Sequence, residues 1–448
     1  MKKKSMKRGA SPKNSNEQLT INLNPYLSII NNVLHIGKLS YSIAIFFLFF
    51  STNTLAQQTI AFTYKSYGLE TEEDNVIHNA AHLDDFFESL YSQHHYRNRK
   101  INIIHLGDSH IQADFLTNIV RRNFQKHFGN AGRGLIVPAR VAGTNEPYNF
   151  ITRSNTKWIA KRCVYPDQPL PIGIGGITIQ TNQPHAKLEV YMNDLWVDYS
   201  FKSLTLFFKK DYNSLNFSIR DTINREVGFI NSFQSEPFVN YATVILPDTV
   251  SAVTIETIQS NPSQNHATIF GLNLENGKSG ILYHAIGVNG AKYNHYNAAL
   301  YFSKQTSALQ PEVFIIALGT NETVDYPYLD KNFFNYIDKL VNSLRSNNPL
   351  AKFILITPPD AFRKKIKTNP GIALIREQIL AYAAENGLAF YDMYKALGGD
   401  GAASHWRQAG LLRPDGVHFT KDGYEYQGNL FFNALMKSYN QYVPLRHP

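Results

Sequence analysis

Cysteine is almost missing from this 448-residue chain: Cys163 stands alone, so no internal disulfide can form, and it reads as an inert buried thiol. Tryptophan is scarce too, at three residues. Acidic charge is in short supply, with 35 Asp and Glu against 44 Lys and Arg. That imbalance is mostly local. Seven bases (Lys2, Lys3, Lys4, Lys7, Arg8, Lys13, Lys38) and one acid (Glu17) fall in residues 1–56, leaving 37 bases and 34 acids elsewhere, a net of +3. So mild an excess gives no case for a nucleic-acid surface. There is no His-Glu-x-x-His motif. His78, His82 and Asp85 read as part of an amphipathic helix rather than as metal ligands, and His94-His95 as a solvated helix end. The glycine-rich Gly129–Gly134 follows a helix instead of opening one after a strand, which argues against a dinucleotide fingerprint. No cofactor and no metal are expected, and no exact internal repeat stands out.

The apolar run Ser42–Phe50 is too short for a comfortable bilayer span. It follows a basic stretch and precedes Thr54-Leu55-Ala56, the layout of a signal peptide cut after Ala56. The basic region is unusually long, so an uncleaved anchor stays open. The expectation is an exported protein of the periplasm or cell envelope, with no stable membrane span after cleavage.

Beyond the leader the pattern is α/β. Residues 74–95 have helical spacing, and Ile101–Leu106 is a buried strand. The next helix carries Ile111, Phe115, Ile119 and Phe124 on one face, turns Arg121, Arg122, Gln125 and Lys126 away from it, and ends near Gly129. From about 140 to 279 short alternating runs separated by turn residues suggest a sandwich or jelly roll. The α/β rhythm then resumes: strands at 281–286, 313–318, 352–357 and 388–391, helices at 291–308, 329–346 and 371–386, and a last helix from Thr420 to about 440. This gives five parallel strands with crossover helices, interrupted by a β-rich insertion. The domains expected are a leader at 1–56, an α/β domain in two parts at 57–139 and 280–448, and the insertion at 140–279.

Three separated segments carry the chemistry: Gly107-Asp108-Ser109-His110, Gly319-Thr320-Asn321-Glu322 and Asp415-Gly416-Val417-His418. The first two follow apolar strands, and ligands bind beyond the carboxyl ends of parallel strands. A serine hydroxyl needs a base to become a nucleophile. His418 is the candidate base for Ser109, with Asp415 three residues earlier to orient the imidazole. The Ser109 and Gly290 backbone N–H groups and the Asn321 side-chain amide are candidate oxyanion donors. Each segment alone could be an ordinary turn; their order, strand-end placement and complementary roles favour ester chemistry.

These residues resemble the four blocks of the SGNH (GDSL-type) hydrolase family. Ser109 matches the nucleophile block, Gly290 in Val288-Asn289-Gly290-Ala291 the glycine block, Asn321 the asparagine block, and Asp415 with His418 the Asp-x-x-His block. Gly287 is the alternative to Gly290. His110 stands where leucine is usual and Glu322 where aspartate is usual. The resemblance implies a flavodoxin-like three-layer α/β/α fold and metal-independent ester hydrolysis. Gly107 through Asp114 and Gly129 through Gly134 look like bacterial peptidoglycan O-acetylesterases, which carry a carbohydrate-binding-module-like β domain inserted in the fold. The implied partner is an acetylated polysaccharide, peptidoglycan glycan strands with muramyl 6-O-acetyl groups. Trp158 and Trp196 in the insertion are candidates to stack on sugars, though core packing is the more usual fate, and Trp406 to wall the acyl pocket. An acetylesterase or acetyltransferase on another polysaccharide, or an inactive glycan-binding protein, are the alternatives.

Overall fold

The computed structural model describes residues 59–165, 170–232 and 240–446, and the expected leader at 1–56 lies outside them. A six-stranded sheet forms the centre. Its strands are β1 (Ile77–His78), β2 (Lys100–Gly107), β3 (Gly280–Gly287), β4 (Val313–Ala317), β5 (Lys352–Ile356) and β6 (Ala389–Tyr391), in spatial order β1-β6-β5-β4-β2-β3. All neighbours are parallel except the two-residue edge strand β1, which runs antiparallel to β6. The sheet is therefore mixed, with one strand more than the sequence pattern indicated.

Strand β2 is buried on both faces, as a parallel strand must be when helices cover both sides. Ile101 and Ile103 enter one core with Phe124, Phe128, Leu430 and Phe431. Ile104 and Leu106 enter the other with Phe314, Ile316, Ile337 and Leu340. The first core is closed by α1 (Asp84–Tyr96), α3 (Phe115–Phe128) and α6 (Lys421–Tyr442); the second by α4 (Phe333–Asn347) and α5 (Pro370–Glu385). Between β2 and α3 lies the four-residue helix α2 (Ser109–Gln112). The Thr420 hydroxyl caps α6 by accepting the Gly423 N–H.

Two antiparallel sheets fill the interval between α3 and β3. One contains 150–154, 187–192, 216–220, 226–230 and 252–258; the other 159–162, 177–181, 201–208, 241–250 and 267–275. Leu188, Phe217 and Ile255 of the first share a core with Leu204, Leu206 and Ile269 of the second, so the sheets lie face to face. Pairing begins with Gly134–Ile136 on 267–275, upstream of the change at 140 in the sequence pattern. Phe207 and Phe270 belong to the same core as Ile104 and Ile286, which joins this β-rich block to the central sheet. The described residues form one compact unit. Among the described residues no helix is long and apolar enough to cross a membrane.

Three expected helices differ. The one at 74–95 starts only at Asp84 after a 3-10 turn, because Ile77 and His78 pair with β6 and Asn79, at φ 51°, donates its amide to the Gly387 carbonyl. The one at 291–308 is two short helices, Tyr293–Asn297 and Phe302–Thr306, because the Tyr301 N–H turns to the Ile172 carbonyl across the domain. The helix after Ser109 breaks at Asp114, where φ is 58°. Asp114 is fully buried with Arg121 and Arg133 at 2.7 and 2.8 Å. Arg121 and Gln125 therefore face inward, contrary to the amphipathic reading, because α3 is covered on that side by the β-rich block through Tyr199.

Candidate active site

At the carboxyl end of β2 the chain turns sharply, and Asp108 Oδ1 accepts the His110 N–H at 2.9 Å to start α2. Ser109 is its first residue. The Ser109 hydroxyl lies 2.9 Å from His418 Nε2, and His418 Nδ1 lies 3.1 Å from Asp415 Oδ2. With a carboxylate on the Nδ1 side, the ring carries its proton there and leaves Nε2 to accept from the serine. Asp415 Oδ1 also accepts the Val417 and His418 N–H groups at 2.9 and 2.8 Å. Burial acts to raise the Asp415 pKa, but these N–H donors and the imidazole outweigh it and hold the carboxyl below its ordinary value. Gly416 makes the turn at φ 79°, and a Cβ there would sit 2.6 Å from Arg407 Nη2. Glycine is needed there.

Gly290 and Gly287 separate by position. Gly290 lines the cleft beside Ser109 and Asn321, whereas Gly287 lies beneath α2, where a Cβ would come within 2.2 Å of the Gln112 nitrogen. Asn321 also lines the cleft. Its Nδ2 donates to Asp108 Oδ2 and to the Ala291 carbonyl, both at 3.1 Å. Both amide hydrogens are thus engaged, and Asn321 reaches a reacting oxygen only by sharing or releasing one of these acceptors.

Of the two departures from the family pattern, His110 is buried and Glu322 is half-buried with its carboxyl enclosed. His110 packs its ring 5.5 Å from that of His418, with Nδ1 2.9 Å from the Tyr424 hydroxyl. Burial first, and the His418 charge second, push its pKa down to about 3, so it is a neutral wall behind the base. Glu322 accepts the Tyr293 N–H at 2.9 Å, and burial pushes its pKa up to about 7. Burial likewise pushes Asp108 up to about 7, the His110 N–H opposing and the Glu322 charge adding.

Gln112 escaped the sequence reading. Its Oε1 accepts the Asn289 N–H at 2.6 Å, and its Nε2 donates to Thr144 Oγ1 and the Asn145 carbonyl at 3.0 and 2.8 Å. It ties α2, the Gly290 loop and the start of the β-rich block together. Its position three residues after Ser109, one helical turn away, is the signal that could have found it. Trp158 is buried with its indole N–H on Ser154, so it offers no sugar face. Trp406 is also buried, packed edge-on against Phe419 and donating to the Leu397 carbonyl, and so lies behind the cleft wall. Trp196 is 70% exposed. Cys163 is buried, which pushes its thiol up to about 12. Among the described residues no three His, Cys, Asp or Glu side chains are placed to hold a metal ion.

The cleft has two lobes meeting at His418, Val417 and Asn321. One, of about 640 Å³, holds Ser109, Phe115, Gly290 and Tyr424; the other, of about 520 Å³, lies on the Asp415 side.

Residues 259–426 match the GDSL-like Lipase/Acylhydrolase family, a span that includes Gly290, Asn321, Asp415 and His418. No curated protein matches the chain. Among solved structures, one described as "Peptidoglycan O-acetylesterase in action, 5 min" is 20% identical with a TM-score of 0.68, over 84% of this chain and all of that one. That likeness is one of fold. A family two carbohydrate esterase from Cellvibrio japonicus is 13% identical with a TM-score of 0.25, over 65% of this chain and 98% of its own.

Proposed function

We propose that this chain, which carries a GDSL-like lipase/acylhydrolase domain, is an exported serine esterase that removes O-acetyl groups from cell-wall polysaccharide, the muramyl 6-O-acetyl of peptidoglycan being its substrate. The observation that carries the reading is the relay Ser109 Oγ to His418 Nε2 at 2.9 Å and His418 Nδ1 to Asp415 at 3.1 Å, opening into a cleft.

In this reading Ser109 Oγ attacks the acetyl carbonyl while His418 Nε2 takes its proton. The oxyanion is held by the Ser109 and Gly290 N–H groups and by Asn321 as its amide turns from the Ala291 carbonyl. Collapse breaks the ester bond, and His418 returns the proton to the departing sugar oxygen. Water then attacks the acetyl group on Ser109 as His418 takes its proton; the bond to Oγ breaks, His418 returns the proton to Oγ, and acetate leaves. Asp415 holds the Nδ1 tautomer and stabilises the imidazolium. The β-rich block at 140–279 serves as the glycan-holding insertion, with exposed Trp196 as its aromatic face.

Recombinant protein given O-acetylated peptidoglycan, O-acetylated xylan and a chromogenic acetate ester tests this. Acetate release from peptidoglycan, abolished by Ser109→Ala, is the expected result. Release from xylan but not peptidoglycan overturns the substrate, and release unchanged by Ser109→Ala overturns the esterase.

A further inference from the structure

The lobe beyond His418 is bounded by a hairpin in which Phe362–Arg363 pairs with Lys367–Thr368. It places four cations, Arg363, Lys364, Lys365 and Lys367, within five residues, more than the net charge of everything after residue 56. Arg363 and Lys364 line the lobe, where the single acid is Asp415 itself. The other lobe adds Arg413 and Lys421 and no acid. Lys421 has a partial partner in Glu425 at 3.7 Å. Lys364, Lys365 and Lys367 are exposed and make no ion pair among the described residues.

The turn itself is unusual. Lys364 and Lys365 have φ of 50° and 72°. Glycine or asparagine holds this left-handed region at little cost, whereas most side chains are strained there. Arg407 holds the turn by donating to the Lys365 carbonyl and stacking its guanidinium 4.0 Å from the Phe362 ring centre. Arg363 is fixed by the Tyr326 carbonyl and lies over the Tyr326 ring. Two strained lysines are thus kept on a braced turn at the rim of the cleft.

We infer that this hairpin is an anion subsite, and that the esterase takes an acetylated glycan bearing carboxylates near the scissile ester. The inference rests on the proposed esterase reading and names the substrate class of that site. Peptide-substituted muramyl residues and uronic acids both supply such carboxylates. Clustered cations at a cleft mouth raise the local concentration of an anionic polymer and its association rate. The effect is salt-dependent: raising ionic strength from about 0.01 M to about 0.15 M shortens the screening length from about 30 Å to about 8 Å.

The test uses three soluble substrates with the full chain: O-acetylated muropeptides, the same muropeptides with carboxyls amidated, and O-acetylated alginate. The wild type should show a kcat/KM ratio for native over amidated muropeptide of about tenfold at low salt, falling toward one at about 0.15 M or above. Lys364→Gln/Lys365→Gln/Lys367→Gln should bring the low-salt ratio near one. Lys364→Asn/Lys365→Gly, which suits the turn, should raise the melting temperature and also lower the ratio, separating charge loss from misfolding. A ratio near one in the wild type, or an unchanged ratio in the triple variant, overturns the inference. Salt-sensitive activity on acetylated alginate with none on muropeptides upholds the subsite and overturns the peptidoglycan reading. Should no ester be cleaved, binding of the same ligands to Ser109→Ala decides: preference for the carboxylate forms upholds the subsite while the esterase fails, and no preference overturns it.

Discussion

Two cavities at opposite ends of the central sheet make a useful contrast. One, of about 810 Å³, larger than either lobe of the cleft taken singly, lies near the amino ends of β2 and β5 and is lined by Arg99, Lys100, Lys352, Asp85 and Glu312. Three of its cations are answered by acids, Arg99 by Glu312, Lys100 by Glu275 and Lys352 by Asp85, while Arg345 lies over the Phe353 ring. The cleft at the carboxyl ends has smaller lobes, but there a hydroxyl faces an imidazole, and the hairpin lysines Lys364, Lys365 and Lys367 make no ion pair among the described residues. The volume of a single lobe therefore does not mark the candidate site. What marks it is polar groups left facing the space, at the end of the sheet where loops converge.

The sharpest way to break that contrast is to remove the reacting groups. Ser109→Ala or His418→Ala should each lower kcat by about 10⁴ to 10⁶, and the double variant little further, because such residues act as a unit. Lys352→Ala in the cavity at the amino ends should leave kcat within about twofold, a surface pair being worth about 1 kcal/mol or less. Steady-state kinetics on one acetate ester checks both, and a comparable loss at Lys352 would erase the distinction.

Next comes the oxyanion side. Asn321→Ala should cost about 10² to 10³ in kcat with KM little changed. A loss confined to KM would make Asn321 a binding residue instead. Smaller is Gln112→Leu, which frees the Asn289 N–H and loosens the Gly290 loop. A kcat loss of about tenfold is expected, since misplaced donors stabilise the transition state less well. Gln112→Glu, which keeps the acceptor, should recover part of it.

The remaining effect is on stability rather than on rate. Glu322 titrates near 7 when folded and near 4.5 as an ordinary glutamate, so the folded state binds more protons between these values. Stability from this group is fully present below pH 4.5 and is lost as pH rises through 7, on the order of 3 kcal/mol in all. Melting temperatures of Glu322→Gln against pH should decline less steeply over that window than those of the wild type. Parallel profiles would contradict the burial argument.

Much of the central sheet was legible because β2 to β6 are short apolar runs ending in glycine or polar turns, and side-chain chemistry picks out Ser109 and Asn321 just beyond two of those ends and Asp415 and His418 in the loop before α6. Their closeness in space is a structural observation; their catalytic roles are the proposal. Tertiary contacts hid the rest. Arg121 looked like a solvent residue until Asp114 broke the helix and drew it inward. Trp158 is core, the fate named as the more usual one, and Trp406 lies behind the cleft rather than at its wall, which only knowing what covers them decides. The basic hairpin was visible in the sequence, but averaging charge over the whole body concealed it.

The most direct measurement is a rapid acid quench during turnover of an acetate ester, followed by mass spectrometry of the peptide that contains Ser109. An acetyl group on Ser109, absent from Ser109→Ala, is the predicted result. Acetate release by Ser109→Ala at the wild-type rate, with no acetyl group on that peptide in the wild type, would contradict the account.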